Sequence, residues 1–324
     1  MVAYSSLFSR QQLQACKTQA VQVKEAAVTR YESFMARIAS GECILTDGAT
    51  GTEAERRGIP QLENAWNGGG ALSHPDIIRQ IHRDYLDAGA EVVISNSFAT
   101  HRHALVDAGE ADRFEDYNRR AVELAVEARD MSGATGALVG AGMSYWSWTD
   151  SPPLAAEMRR AATRQAEVMA AAGADVIMLE MMVDLPNLEI MLDAVSGVGL
   201  PVWAGLTCRP GDGGVIALRR GGSLFDTVRL LDAHGVDVVN IMHTNVEYIS
   251  ASVADISELW QGPIGVYAHS STEVDKQWVF DDVISPAAYC DLAARWKDQG
   301  VSLIGGCCGI TTAHVIEMKR RLFA

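Results

Sequence analysis

The chain has 324 residues, of which 48% are hydrophobic and 21% are charged, and its formal net charge at pH 7 is −14. This composition is typical of a globular protein with a sizeable core, in one large domain or two ordinary ones. The negative charge and the lack of a Lys/Arg cluster argue against nucleic acid and anionic membranes as partners, because both bind basic surfaces. We therefore expect a small-molecule partner.

Neither a membrane-spanning helix nor a secretory leader is expected from the sequence. The longest uncharged run, residues 131–149, is interrupted by four glycines. The six cysteines are scattered apart from one adjacent pair, which is not the spacing of a disulfide framework. A cytoplasmic location is therefore expected, where clustered thiols more often serve metal binding or catalysis.

The chain begins with a segment of helical pattern, "SRQQLQACKTQAVQVKEAAVTRYESFMARIA". We interpret residues 1–40 as an N-terminal helical extension that precedes the first strand. Such a helix would either cover one end of the following domain or join subunits into a homo-oligomer. A plain surface helix explains the pattern equally well.

Strand signals then recur along residues 41–324. Four segments share one phrase, "AGAEVVISNSF", "AGADVIMLEMM", "HGVDVVNIMHT" and "QGVSLIGGCCG", in which a helix-ending glycine precedes a short buried strand. Four further apolar runs, "CILTDGATG", "GALVGAGM", "PVWAGLTC" and "PIGVYAHS", bring the predicted strands to eight. Amphipathic helical patterns separate them, so we predict a closed (β/α)8 TIM barrel rather than an open doubly wound sheet.

The active site of such a barrel lies at the carboxyl ends of its strands. Counting seven positions from each glycine of the shared phrase gives Asn96, Glu180, Met242 and Cys307. The neighbours of the last two are His243 and Cys308. Polar and thiol groups are therefore expected to converge on one rim.

The adjacent cysteines in "GGCCG" suggest a metal site. Cys307 and Cys308 cannot complete a zinc site alone, because structural sites use four protein ligands and catalytic ones usually use three. His243 after strand six and Cys208 after strand five are both candidates for the third ligand, since zinc accepts imidazole and thiolate.

Four motifs, "LTDGATGTE", "SNSF", "LEMMVDLPN" and "GGCCGITTAHV", resemble the homocysteine S-methyltransferase family, whose members are zinc-containing barrels. The resemblance implies that Cys307 and Cys308 bind Zn²⁺. The third thiolate of the family aligns with His243, which is a departure. A Cys2His site, a contribution from Cys208, or a weakened or lost site are the alternatives, and we favour His243.

The resemblance also implies a function. The expected enzyme transfers a methyl group from a small onium donor to the thiol of homocysteine and forms methionine. S-methylmethionine, S-adenosylmethionine and betaine-like compounds are the candidate donors. Two alternatives are a related barrel acting on another methylated sulfur or nitrogen compound, and a non-catalytic barrel that binds thiols or zinc.

The expected acceptor site contains two acids. Asp47 and Glu180 match the positions with which the family holds the amino group of homocysteine, and we take both as catalytic and substrate-binding candidates. Backbone groups of "DGATGT", including Gly48 and Thr50, are candidates for the carboxylate of the acceptor. Asn96 completes this predicted set.

The expected donor site is aromatic. Tyr145, Trp146 and Trp148 lie in the loop after strand three, where a cation–π cage would suit a cationic donor, although a lid is an equally good interpretation. Trp66 matches a tryptophan of relatives that use S-methylmethionine. His269 replaces an asparagine that the family has after strand seven, and it is the last substrate-binding candidate.

Overall fold

The computed structural model describes residues 28–149, 153–270, 272–274, 277–279 and 283–323. Its main sheet has eight parallel strands in the order β1-β8-β7-β6-β5-β4-β3-β2. The strands are β1 (Ile44–Leu45), β2 (Val92–Ile94), β3 (Leu138–Met143), β4 (Val176–Met182), β5 (Val202–Leu206), β6 (Val238–Asn245), β7 (Ile264–His269) and β8 (Leu303–Ile304). Each of the eight predicted strands is present.

Hydrogen bonds between β1 and β2 close the sheet. The Glu91 N–H donates to the Leu45 carbonyl at 2.8 Å, and the Asp47 N–H donates to the Val92 carbonyl at 3.0 Å. The predicted (β/α)8 TIM barrel is therefore confirmed.

Helices alternate with the strands around the barrel. Their bounds are Arg30–Ala39, Thr50–Arg56, Gly70–Ser73, Pro75–Asp87, Arg102–Asp107, Phe114–Ser132, Ala155–Ala171, Leu185–Val195, Leu224–Ala233, Val246–Leu259, Pro286–Asp298 and Thr312–Leu322. Within the described part of the chain, no helix is both long and apolar enough to cross a membrane. Two hairpins were not predicted: Cys208–Pro210 pairs with Ile216–Leu218, and Thr272–Val274 pairs with Gln277–Val279.

The shared phrase forms a helix-to-strand junction at each of its four occurrences. Its glycines, at positions 89, 173, 235 and 300, all have φ between 65° and 102°. This left-handed conformation ends the preceding helix and is accessible to glycine at little cost. The β-branched residues that follow are buried between the helices and the barrel interior.

The first described helix, Arg30–Ala39, covers the amino-terminal end of the barrel. Phe34 and Ile38 are buried in a cluster with inward-facing strand residues. The ring of Phe34 lies 6.0 Å from that of the fully buried Trp203, whose indole N–H donates to the Tyr31 hydroxyl at 3.0 Å. The helix therefore completes the hydrophobic core at the amino-terminal end of the barrel.

The acidic residue of the shared phrase holds this helix in place. It immediately precedes β2, β4 and β6, and in each case its carboxylate contacts the helix. The pairs are Arg37 with Glu91 at 2.5 Å, Arg30 with Asp175 at 2.5 Å, and the Tyr31 hydroxyl with Asp237 at 2.6 Å. The recurrence of an acid at alternate strands thus has a structural role at the closed end of the barrel.

The predicted extension, residues 1–40, is only partly described, because residues 1–27 lie outside the described part of the chain. The segment from residue 28 onward covers the barrel end, which was one of the alternatives. The domain division at residue 40 and a subunit contact through this extension stay predictions.

The substitution Phe34→Ala is expected to lower the free energy of unfolding by about 3 to 5 kcal/mol, because it leaves a cavity against Trp203. Chemical denaturation followed by circular dichroism measures the change. The exposed neighbour provides a control, since Ser33→Ala should change this free energy by less than about 0.5 kcal/mol. A loss below about 1 kcal/mol for Phe34→Ala would show that the helix is not part of the core.

Candidate metal and substrate site

The carboxyl ends of the barrel strands surround a cavity of about 420 Å³. Its wall contains most of the site residues predicted from the sequence. These are Gly48, Thr50, Trp66, Asn96, Trp146, Trp148, Glu180, His243, Cys307 and Cys308. Asp47 lies directly before Gly48 and is 1% exposed.

Three potential metal ligands meet at the floor of this cavity. His243 Nδ1 lies 3.6 Å from Cys307 Sγ and 3.7 Å from Cys308 Sγ, and the two sulfurs are 3.8 Å apart. Tetrahedral zinc with its usual bond lengths places two sulfurs about 3.8 Å apart and a nitrogen about 3.6 Å from each sulfur. The three atoms therefore have the spacing of one face of a zinc tetrahedron.

The triad does not include Cys208. Among the described residues, His243, Cys307 and Cys308 form the one group of three ionisable ligands whose atoms all lie within 4.8 Å of one another. Cys208 is buried in the hairpin at Cys208–Pro210, and its N–H donates to Thr244 Oγ1 at 2.9 Å. Of the two candidates for the third ligand, the geometry favours His243.

An unusual backbone conformation at His243 orients its imidazole toward the two sulfurs. His243 has φ of +50°, and the register of β6 against β7 shifts between Met242 and Asn245. A non-glycine residue in this region costs of order 1 to 3 kcal/mol, so the conformation is imposed by its surroundings. The irregular strand end turns the imidazole toward the cysteine loop.

The cysteine loop is fixed by its own backbone. The Cys307 N–H donates to the Ala268 carbonyl at 2.9 Å, and the Cys308 carbonyl accepts from the Ser270 N–H at 3.1 Å. A Cβ at Gly305 would clash with the Asp47 carbonyl, and one at Gly306 would clash with Ile310. The two glycines before the cysteines therefore allow a close approach to β1.

The protonation states suit metal binding. Burial, with a smaller effect of His269, lowers the pKa of His243 well below its usual value, so this imidazole is neutral. A neutral imidazole is the form that binds metals. The hydrogen bond with Cys308, followed by burial, raises the pKa of Cys307, so metal binding would displace its proton.

His269 contacts the triad rather than the cavity. Its Nδ1 lies 3.3 Å from His243 Nδ1, and the two rings are nearly perpendicular with centroids 4.4 Å apart. Burial lowers the pKa of His269 to about 4. The structure thus places this predicted substrate-binding residue beside a metal ligand and not on the cavity wall.

Two carboxyl groups lie near the triad, the buried Asp47 and the half-buried Glu180. Asp47 Oδ2 accepts the Ile94 N–H at 2.7 Å, whereas Asp47 Oδ1 and Glu180 Oε1 have no hydrogen-bond partner among the described residues. Burial is the main cause that raises the pKa of both groups well above the usual range. The nearby Cys307 and, to a smaller extent, Asp47 also raise the pKa of Glu180. Unpaired buried acids of this kind favour a cationic ligand.

Glycine makes room for the second acid. A Cβ at Gly142 would clash with Glu180 Oε1. Met181, the next residue on β4, has φ of +58°, and the register against β5 shifts between Leu179 and Met182. This irregular strand end is the counterpart of the one at His243.

Three aromatic rings line the outer part of the cavity. Trp66 and Phe98 have centroids 6.4 Å apart at 88°, and Phe98 and Trp148 have centroids 6.1 Å apart at 87°. The indole of Trp66 packs against Gly51, where a Cβ would clash with it. Phe98 was not predicted as a site residue, although it stands in the "SNSF" motif.

The other aromatic candidates have structural contacts. Trp146 lines the cavity, but the guanidinium of Arg220 lies 4.5 Å from its ring centroid. Tyr145 is not a wall residue: its hydroxyl accepts the Val183 N–H at 2.9 Å and donates to Asp184 Oδ2 at 3.1 Å. Phe98, and not the predicted Tyr145, is therefore an aromatic residue of the cavity wall.

Asn67 and Tyr267 are also wall residues that were not predicted from the sequence. The Asn67 side chain is buried and donates to the Gly51 carbonyl at 2.8 Å, while its Oδ1 has no partner among the described residues. The Asn96 amide donates to the Asn67 carbonyl at 3.1 Å and so fixes this corner. Tyr267, on β7, completes the floor. Neither residue had a spacing signal, since Asn67 follows Trp66 in a loop and Tyr267 lies within a strand.

The barrel and the triad at the carboxyl ends of its strands form a site of the kind that enzymes of this fold use, with three residues that could hold a metal ion. A family model described as Homocysteine S-methyltransferase matches residues 44–322. The chain belongs to the homocysteine S-methyltransferase family and is therefore a methyltransferase.

Known proteins share this architecture over most of their length. Homocysteine S-methyltransferase 1 of Zea mays is 26% identical over 319 residues, covering 90% of this chain and 97% of the relative. Selenocysteine Se-methyltransferase of Brassica oleracea var. italica is also 26% identical, with 87% and 90% covered. The metallated homocysteine methyltransferase MmuM from Escherichia coli has the same fold, with a TM-score of 0.74, 23% identity, and 90% and 100% covered.

Metal titration tests the ligand set. The substitutions His243→Ala and Cys307→Ser are each expected to weaken Co²⁺ binding by more than about 100-fold, since even indirect partners of ligands contribute 10- to 100-fold. The absorbance of the thiolate complex reports binding. Cys208→Ala is the matched control and should leave the affinity unchanged. A loss of this size in Cys208→Ala, with the affinity of His243→Ala unchanged, would replace His243 with Cys208 as the third ligand.

Proposed function

We propose that this protein transfers a methyl group from a small onium donor to the thiol of homocysteine and forms methionine. The observation that carries the proposal is the thiol–imidazole triad near the carboxylates of Asp47 and Glu180, each of which has one buried oxygen without a hydrogen-bond partner among the described residues. A metal site prepares a thiol, and the acids fit the ammonium group of the same molecule.

We propose Zn²⁺ as the resident metal, held by Cys307, Cys308 and His243. The spacing of these three atoms and their soft donor set support this choice. When bound, zinc lowers the pKa of an acceptor thiol and presents it as a thiolate. Three protein ligands leave one position for that sulfur.

The residues above the triad orient the acceptor in this proposal. Asp47 and Glu180 receive its ammonium group, and the cation restores their charged forms against the effect of burial. Gly48 and Thr50 are the proposed contacts of its carboxylate, since both lie on the wall and Thr50 Oγ1 has no partner among the described residues. Asn96 borders the same space.

The aromatic rings orient the donor. Trp66, Phe98 and Trp148 offer π-faces to an onium group, which such faces attract. In the transfer, a lone pair of the acceptor sulfur forms the new S–CH₃ bond, and the electrons of the broken bond leave with the donor heteroatom. The donor loses its positive charge, so the rings hold the product less strongly than the substrate.

A donor screen tests this function. Zinc-loaded protein is incubated with homocysteine and with S-methylmethionine, S-adenosylmethionine or betaine, and methionine is quantified by mass spectrometry. We expect methionine from at least one donor, and none from Cys307→Ser. Absence of methionine with every donor, in protein shown to contain zinc, would contradict the proposal.

The glycine beside Glu180 provides a second test. Gly142→Ala should displace the carboxylate and lower kcat/KM for homocysteine by about 10- to 100-fold, the value of a charged hydrogen bond. Gly140→Ala, on the same strand, is the control, because its Cβ would meet only neighbours at 3.6 Å or more. Equal effects of the two substitutions would remove Glu180 from acceptor binding.

A further inference from the structure

Besides Glu180, a second glutamate lies on the cavity wall, one helical turn after Gly51, against which the Trp66 ring packs. Glu55 belongs to the helix Thr50–Arg56, and it is exposed while its side chain forms part of the cavity wall. The Gln61 amide, also on the wall, donates to Glu55 Oε1 at 3.0 Å. This hydrogen bond orients the Glu55 carboxylate beside Gln61 on the wall.

The two arginines that follow Glu55 in the sequence form ion pairs with other acids. Arg56 pairs with Glu53, and Arg57 pairs with Glu53 at 3.3 Å and with Asp84 at 2.6 Å. Within the described part of the chain, Glu55 itself has no ion pair with a lysine or arginine. Its negative charge is therefore not cancelled by its neighbours.

The rest of the described wall also favours positive charge. It contains no lysine or arginine, and Arg220, which stacks on Trp146, is not part of it. Asn67 follows Trp66 on the wall, and its buried Oδ1 has no hydrogen-bond partner among the described residues and can only accept hydrogen bonds. An onium group finds ring faces and acceptors there, whereas a donor carboxylate finds no cation.

We propose that Glu55 is a specificity-determining residue that selects methyl donors by net charge. It favours onium donors with an uncompensated positive charge over donors whose own carboxylate neutralises them. This inference rests on the proposed function, because it assigns the chemical class of the second substrate. The action is electrostatic and lies away from the reacting atoms, so it affects donor binding and not the transfer step.

A matched pair of donors isolates the effect of charge. Trimethylsulfonium has net charge +1, and dimethylsulfonioacetate has the same sulfonium centre but is neutral overall. Donor dissociation constants are measured by calorimetry on the zinc-loaded protein, and kcat/KM is measured with homocysteine held constant. Both are determined for wild type, Glu55→Gln and Glu55→Lys.

We expect Glu55→Gln to reduce the preference for trimethylsulfonium by about 2- to 5-fold, the range of one exposed charge, and Glu55→Lys to reduce it further. The change should appear in KM and in the dissociation constant, with kcat unchanged. It should shrink at about 1 M salt, where the screening length falls to about 3 Å.

Glu63 provides the control, because it is an exposed glutamate eight positions along the chain and is not part of the wall. Glu63→Lys should leave the preference unchanged. An unchanged preference in Glu55→Lys, or an equal change in Glu63→Lys, would overturn the inference.

Failure of the inference can be distinguished from failure of the function. Turnover with an unchanged preference in Glu55→Lys removes the role of Glu55 and leaves the methyltransferase reaction intact. Absence of turnover with any donor, together with the expected shift in the dissociation constants, removes the proposed reaction and supports charge selection at Glu55.

Discussion

The site depends on the close approach of three potential metal-ligand atoms, one at the end of β6 and two in the loop after β8. The spacing of two sulfurs and one imidazole nitrogen requires a loop after β8 that packs against β1, which Gly305 and Gly306 permit. It also requires a histidine in left-handed conformation at the end of β6. Close packing and backbone strain therefore set the spacing of these three atoms.

The amino-terminal end of the barrel contributes to stability, whereas the carboxyl end contains the candidate site. At the amino-terminal end, acids before alternate strands hold a covering helix, and apolar residues fill the interior. At the carboxyl end, the strands finish in irregular turns that expose Glu180 and His243 to the cavity. Stability and chemistry are thus supplied by opposite strand ends, which is the usual division in this fold.

Much of this arrangement could be predicted from the sequence. The glycine-led phrase located strands, because helix ends and buried β-branched runs leave local signals. The adjacent cysteines indicated a metal site because they are a local motif whose chemistry can be recognised from the sequence alone. Phe98 and Asn67 left no such signal, since their positions on the wall depend on loop paths set by tertiary packing. Tyr145 was predicted as a site residue because it lies with Trp146 and Trp148 in the loop after β3, whereas its hydroxyl accepts backbone N–H groups just before a helix.

X-ray absorption spectroscopy at the zinc edge tests the central claim most directly. Zinc-loaded protein is measured alone and with homocysteine. Two sulfur ligands should be seen alone, from Cys307 and Cys308, and three should be seen with homocysteine, since its thiol would occupy the open position. A sulfur count that does not rise with homocysteine would show that this metal does not prepare the acceptor thiol, and would contradict the account.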